Sequence, residues 1–497
     1  MRSLTPGQVR VFLRVACAAV LIAVMTQTRA DPDLFGHVRF GHDIIAARSA
    51  HLVDRYSFTS DRPWINHEWL SEVAMYLAYR GAGATGLIAL KLSLLLLSFG
   101  AVWLAIRWSR ASDLAQDLLL GVAVVCTFPQ TNHVRPQLFS VALFAWLLLV
   151  LLAARRRARA AWWTLPIMAV WVNVHGGWLV GAATLLLWTA AGWFSDCSRR
   201  DKLIASGAAA CAMAVTLVNP YGVQLLQFLR ETVSLGREDI TDWQPVFRLG
   251  AMFGLLWALV VVLSIAGMVM TLRRRKADVQ ATAIVLMLGV TSFRVNRLLA
   301  FFALSAVMLF GAEIAALFRR DTAAEGLRVA TRWVAASVAA FALVLVASGV
   351  TASARNLSCI RMEESMFPEP EAMSVAANSR IHGRMLTYFD YGEYAIWYLS
   401  PNVLVSIDGR RETVYSEQTI QRQLRFYSEP GDRKEIVNAL QPDYIWMPPS
   451  LGVTKDLASD GWKPVFSGPR TVILARGDVP EHLYSGGAGA SRCFPGP

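Results

Sequence analysis

Residues Ala30–Asp43 read ADPDLFGHVRFGHD, and the fold turns on how this stretch is placed. Three acids, two histidines and an arginine follow directly on residues 9–29, an apolar run of about the 20 residues needed to cross a bilayer core. Thr28-Arg29-Ala30 ahead of Asp31 has the small-residue pattern of a signal-peptide cleavage site. Many more apolar runs follow, however, which favours an uncleaved anchor. The acids of Ala30–Asp43 are then expected where the chain leaves the lipid.

Composition supports that placement. Of 497 residues, 55% are hydrophobic and 17% charged, and mean hydropathy is +0.40. Soluble domains average about 45–50% apolar and about 25% charged. Eleven or so spans are expected, at about 9–29, 86–106, 114–129, 137–153, 161–174, 178–195, 203–219, 251–271, 279–293, 298–317 and 333–351. The net charge of +12 does not point to nucleic acid, because the basic residues cluster in short runs between apolar segments, such as Arg155–Arg157 and Arg273–Lys276. With the N-terminus inside, five inner loops carry seventeen Lys and Arg, while three short outer turns carry three. The positive-inside rule makes that asymmetry the determinant of topology. An odd number of spans sends the C-terminus out, which in a bacterial inner membrane means the periplasm. No cysteine spacing suggests a metal site, and a disulfide between Cys359 and Cys493 is possible but unforced.

The expected architecture is therefore an all-α polytopic membrane domain over 1–351 with a large first outer loop at 30–85, then a small extracytoplasmic α/β domain over 352–497. Within the loop, Trp64, Trp69, Leu70, Val73 and Leu77 suggest an amphipathic interfacial helix. In the tail, RMLTYF, NVLVSID, DYIWMP, KPVF and TVILAR read as strands, and EYAIWYL, TIQRQLRFY and RKEIVNAL as helices.

Polar residues near the membrane collect on the outer side. Asp31, Asp33, His37, Arg39 and His42 follow the first span; His67, Glu68 and Glu72 close the same loop. Asn132, His133 and Arg135 lie in one later turn, Asn173 and His175 in another, and Arg294, Asn296 and Arg297 in a third. Charged and amide side chains at that depth are costly and by default indicate a site. Each has a plainer explanation: the arginines could snorkel to headgroups, His175 could serve the Gly176-Gly177 hairpin, and Asp31-Pro32-Asp33 could simply end a helix. Their concentration on one face argues against all the plain explanations together. Acids with neighbouring arginines at headgroup depth suit a lipid-linked sugar phosphate, the arginines for phosphate and a carboxylate or a held cation for the transfer.

The phrases DPDLFGHVRFG, PWINHEWLSE, VRPQLF, WVNVHGGWLVG, NPYG and FDYGEYAIWYLSPNVLVSIDGRRE, in that order, are similar to a broad group of bacterial multispanning glycosyltransferases. Together with the acid pair after span 1, they resemble the GT-C class of integral-membrane glycosyltransferases. That resemblance implies a polyprenyl-phosphate-linked sugar donor and an inverting transfer to a glycan, lipid or protein acceptor. It places the acidic motif of the class on Asp31 and Asp33. Asp33 is the expected base, Asp31 its orienter, and both are the expected ligands if a divalent cation (Mg or Mn) is used; the class varies at this motif, so metal dependence stays open. Arg294, Arg297 and Arg135 are the expected phosphate-binding residues, with His37, His67, Glu68, His175 and Asn173 in support. A polysaccharide polymerase or ligase is one rival. A transporter or flippase-like protein is the other, although no internal repeat of the kind transporters carry is visible.

Overall fold

The computed structural model describes residues 6–51, 53–109, 111–232, 236–237, 240–274, 277–317, 332–378, 381–476 and 492–496. The chain opens with α1 (Pro6–Thr26), a two-residue strand β1 (Arg29–Ala30), α2 (Leu34–Ala47) and α3 (Trp69–Trp108). Next come α4 (Asp113–Thr131), β2 (His133–Val134), α5 (Gln137–Ala154), α6 (Thr164–Trp171), α7 (Trp178–Gly192) and α8 (Arg199–Val215). The membrane part closes with α9 (Val223–Thr232), α10 (Ala251–Arg273), α11 (Val279–Arg294), α12 (Leu299–Leu317) and α13 (Arg332–Leu357). Each of the eleven expected spans falls on a helix. Among the described residues, six helices are by themselves long and apolar enough to cross a bilayer. The basic loop at 318–331 lies outside the described residues.

Two features of the first outer loop differ from expectation. Its opening is a helix, not a polar connection: Leu34, Phe35, Val38 and Ile44 recur at helical spacing and are all buried, and the charges occupy the remaining positions. The expected interfacial helix, for its part, begins at Trp69 and is continuous with the second span. α3 is broken only at Ala82 and Gly83, where Gly83 takes a φ of +58° that a residue with a side chain rarely adopts. Trp64 stands outside it, buried against the C-terminal part. α2 lies hard on α3, since a Cβ at Gly41 would sit 2.1 Å from the Glu72 carbonyl oxygen.

The tail is α/β. Its elements are α14 (Pro370–Asn378), β3 (Gly383–Thr387), α15 (Gly392–Leu399), β4 (Val403–Val405), α16 (Glu417–Ser428) and α17 (Arg433–Leu440), then β5 (Tyr444–Met447), α18 (Val453–Leu457), β6 (Trp462–Ser467) and β7 (Val472–Arg476). The five strands form one sheet in the order β4-β3-β5-β7-β6, parallel across β4-β3-β5 and antiparallel beyond. All five strands and the three helices read from the sequence are present.

The tail is fastened to the first loop. Val405 N–H donates to Tyr56 O (2.8 Å) and Phe58 N–H to Val405 O (3.1 Å), so the loop extends the sheet beyond β4. The Arg410 guanidinium, its side chain only 4% exposed, sits over Phe40, Tyr56 and Trp64 and bonds Asp54 at 2.7 Å. Asp408 and Tyr415 complete this knot. The DGRR stretch is thus a buried anchor. Cys359 and Cys493 form a disulfide across 134 residues of chain.

Candidate active site

Two short strands build the site. β1 and β2 pair in parallel, Arg29 against His133 and Ala30 against Val134, and one residue further on Asp31 meets Arg135 at 3.4 Å. Arg135 also donates to Asp242 at 2.6 Å. Arg135 is therefore shared between two carboxylates, which hold its pKa up against its burial.

Asp33 ends the coil and Leu34 starts α2. The Asp33 N–H donates to Asp31 Oδ1 at 3.2 Å. A half-buried setting, with Asp31, Asp390 and Glu68 nearby, raises the Asp33 carboxyl to about 8, although His37 opposes the shift. One turn along, His37 Nδ1 lies 3.3 Å from Glu72 Oε1. Burial disfavours a charged His37, but this bond and the Glu68, Glu72 and Asp33 charges outweigh it and raise the imidazole to about 9. Glu72 is fixed in turn by Asn66 Nδ2 at 2.6 Å.

Across the site, Arg297 Nη2 lies 2.8 Å from His175 Nε2. A guanidinium can only donate, so Nε2 accepts, while Nδ1 faces the Gly177 N–H at 3.0 Å and Ser140 Oγ at 2.7 Å. Trp171 Nε1 donates to the same oxygen. Burial and the Arg297 charge depress His175 well below its ordinary pKa, consistent with a neutral ring. The two glycines after His175 admit this packing: a Cβ at Gly177 would lie 2.5 Å from Ser140 Oγ, and one at Gly176 3.3 Å from His67. Glu68 bridges the histidines, 3.5 Å from His67 Nε2 and 3.6 Å from His175 Nε2.

The remaining expected residues sit differently. Asn173 is a tie: its amide accepts from Trp69 Nε1 and donates to the Ala169 and Val218 carbonyls, fixing the start of α3. Arg294 is exposed at the end of α11, whereas Arg297 points inward over Trp243 at 5.9 Å. Sequence reasoning missed Asp242 as the partner of Arg135, and missed Asp390 and Glu393. Both acids stand in FDYGEYAIWYLS, where acids flanking an apolar helix were the available signal. Burial and the Asp31 charge raise Asp390 to about 6.

Between these groups lie buried polar atoms with no hydrogen-bond partner among the described residues: Gln130 Oε1, Asn132 Oδ1, both His133 ring nitrogens, Arg135 Nε, Gln137 Oε1 and Asn296 Oδ1. Such atoms are rare in interiors and indicate space for water or a polar ligand. The arrangement brings together a carboxyl raised toward neutrality, an imidazole raised by its acidic neighbours and an arginine that shares Asp31 and Glu68 with that carboxyl.

No protein-family model matches the sequence, and no curated protein matches it significantly. Among solved structures, ArnT from Cupriavidus metallidurans in the apo state is similar over 96% of this chain and 99% of that one, with TM-score 0.53 and 14% identity. A structure of that protein bound to undecaprenyl phosphate gives TM-score 0.49 and 15% identity over 95% and 98%. The arabinofuranosyltransferase AftD from Mycobacteria matches 97% of this chain with TM-score 0.51 and 14% identity, but the chain spans only 42% of its length. A multispanning helical body that carries a small sheet-bearing C-terminal part, aligned over nearly all of this chain with apo ArnT and with AftD, gives this chain the fold of the GT-C integral-membrane glycosyltransferases.

Proposed function

We propose that the chain is a GT-C-type glycosyltransferase that moves a sugar from a polyprenyl-phosphate donor to a hydroxyl acceptor on a glycan, lipid or protein. The observation that supports this reading is that Asp33 and Arg297 share Asp31 and Glu68 as charged neighbours, beside buried polar atoms that lack a partner among the described residues. One structural neighbour is itself an arabinofuranosyltransferase. In the proposed reaction Asp33 takes the acceptor hydroxyl proton while the acceptor oxygen attacks the anomeric carbon. The bond from that carbon to the phosphate oxygen breaks, and the phosphate leaves with the electron pair. Arg297, whose side chain donates to a neutral imidazole among the described residues, has charge to give to that phosphate. Arg135 is held by two carboxylates and acts mainly by fixing Asp31. His37, protonated, favours the ionised form of Asp33 that the proton transfer needs. Among the described residues no three acidic, histidine or cysteine side chains are grouped to hold a metal ion.

The site is proposed to face the periplasm from the bacterial inner membrane. The charge asymmetry of the loops supports this, as does the Cys359–Cys493 disulfide, which suits an oxidising compartment. The test is purified protein in detergent with undecaprenyl phosphate as binding probe and a panel of undecaprenyl-phosphate-linked sugars as donors. Saturable binding, and donor turnover lost in Asp33→Asn by roughly 10²–10⁴-fold, are expected. Absence of binding, or an Asp33→Asn enzyme with wild-type turnover, would overturn the assignment.

A further inference from the structure

A cavity of about 220 Å³ opens where α2, α3 and α15 meet, and the proposed transfer makes no use of it. Val38, Arg39 and His42 line it from α2, Tyr76 and Tyr79 from α3, and Trp397 from the tail. Val38 is buried, and the others are at least partly exposed. Tyr76 stands edge-on to His42 at 5.2 Å and Tyr79 edge-on to Trp397 at 5.6 Å, so the rings brace one another. The space is several times the roughly 30 Å³ that one water takes up in the liquid.

Depth and charge narrow what it can hold. Tyr79 lies at most about 10 Å above residue 86, where the second span is expected to begin, at 1.5 Å of rise per residue. Aromatic rings with a polar tip collect at that level, among the lipid headgroups. Arg39 brings charge that its neighbours do not balance. Its ion-pair partner is Asp43, whose Oδ2 is 3.6 Å from Arg39 Nε, beyond hydrogen-bond range. That carboxylate is already engaged: His42 Nδ1 lies 2.7 Å from Oδ1, and the Tyr56 hydroxyl donates to Oδ2. Arg55 stands 3.8 Å from the same Oδ2. Two guanidinium groups therefore share one carboxylate, and one positive charge is left over. Arg39 Nε is shut off from solvent with no hydrogen-bond partner among the described residues, yet the side chain is 30% exposed and lines the cavity.

We propose that this cavity is a lipid site, which takes the phosphate of an anionic phospholipid from the surrounding leaflet. Arg39 is the partner of the phosphate, because a guanidinium fork matches phosphate oxygens. Tyr76, Tyr79 and Trp397 pack against the glycerol and the upper acyl chain. The lipid phosphate is the anion that a bilayer supplies at this depth, and basic pockets beside membrane helices hold headgroups in this way. Because one wall belongs to the tail and another to the helix that continues into the second span, an occupied cavity fastens the tail to the bilayer. Arg39 lies about 9 Å along α2 from Asp33, and the inference stands whether or not the chain transfers sugar. The alternative is an arginine that is merely hydrated at the interface, beside rings that only mark its depth.

The test uses the full chain in detergent with a fluorescent phosphatidylglycerol, read by polarisation. Dihexanoyl phosphatidylglycerol, dihexanoylglycerol and inorganic phosphate serve as competitors. Saturable binding is expected, displaced by the short-chain phosphatidylglycerol and not by the other two. Arg39→Gln is expected to weaken it roughly 10- to 100-fold, the worth of a hydrogen bond to a charged group. Arg39→Lys, which keeps the charge without the fork, is expected to weaken it less. Arg48→Gln removes the same charge from an exposed position at the end of α2 and is expected to change binding less than threefold. Equal competition by dihexanoylglycerol would make the cavity merely apolar, and equal competition by inorganic phosphate would assign it to a soluble anion; either result overturns the proposal. So does equal affinity in Arg39→Gln and Arg48→Gln. Position is read separately, from wild type alone. A phosphatidylglycerol with a photoreactive headgroup is expected to label the peptides that hold Tyr76, Tyr79 or Trp397. Labelling confined to other peptides overturns the proposal, even where Arg39→Gln does not fold.

Discussion

At the scale of single residues the proposed chemistry depends on Asp33 and Arg297. The Asp33 carboxyl titrates near 8 because burial and neighbouring acids penalise its charged form. A base works only when deprotonated, so the raised value places its loss on the acid side. We expect kcat/KM to fall tenfold per pH unit below about 8 and to level above it. A profile flat from pH 6 to 9 would remove Asp33 as the rate-determining base. Arg297 and Arg294 make the complementary case. Both stand in one turn, yet Arg297 contacts His175 and Trp243 while Arg294 is exposed. Arg297→Ala should weaken undecaprenyl phosphate binding roughly 10- to 100-fold, as expected for a charge-assisted hydrogen bond. Arg294→Ala should change it less than threefold. Equal effects in the two variants would mean that both act through the headgroup layer.

Among the elements, the join between α1, α3 and the β1–β2 ribbon matters most, because it aims Asp31 at Arg135. Lys91, on α3, is 1% exposed. Its Nζ donates to the Gln27 carbonyl, to Thr28 Oγ1 at 3.2 Å and to the Asn132 carbonyl at 3.3 Å. One ammonium thus ties the end of α1 to the strand that carries the arginine. Lys91→Met fills the volume but removes three hydrogen bonds, leaving the Asn132 carbonyl only the Arg29 N–H and the Thr28 hydroxyl only its bond to the Thr26 carbonyl, at a cost on the order of 3 kcal/mol. Thermal unfolding in detergent should show a clearly lowered midpoint, with undecaprenyl phosphate binding weakened at temperatures where the variant is folded. An unchanged midpoint would show that water replaces the ammonium at no cost.

For the whole molecule, the tail and the first loop form one unit. They share a core that includes Phe35, Tyr394, Trp446 and Phe494, a sheet edge, and the Arg410 knot. The disulfide closes the same region. Cys359→Ser should lower stability by about 2–5 kcal/mol, as loss of a native disulfide usually does. In cells, both cysteines should resist alkylation unless reductant is added, and a periplasm-active reporter fused at the C-terminus should be active while one fused after Arg157 is silent. Freely alkylated Cys359 with a silent C-terminal reporter would invert the topology and move the site to the cytoplasm.

The sequence by itself determined the polytopic class, the apolar helices and the strands of the tail. Each of these is a local free-energy preference: apolar runs belong in lipid, and alternating apolar residues fit a half-buried strand. It also drew attention to Asp31, Asp33, Arg135, His175 and Arg297, because ionisable groups near the bilayer are costly wherever they fall. The charges of Ala30–Asp43 hid the helix α2, whose buried face shows only once a partner covers it. Only the tertiary structure decided which partners those residues have. Arg135 belongs to Asp31 and Asp242, Asn173 is a tie and Arg294 lies outside the group. Asp33 has Glu393 beside it, from the far end of the chain. Such pairings follow from close approach at Gly36, Gly41 and Gly409, where a missing side chain brings distant segments into contact. No periodicity records that, because the energy lies in contacts between residues hundreds of positions apart.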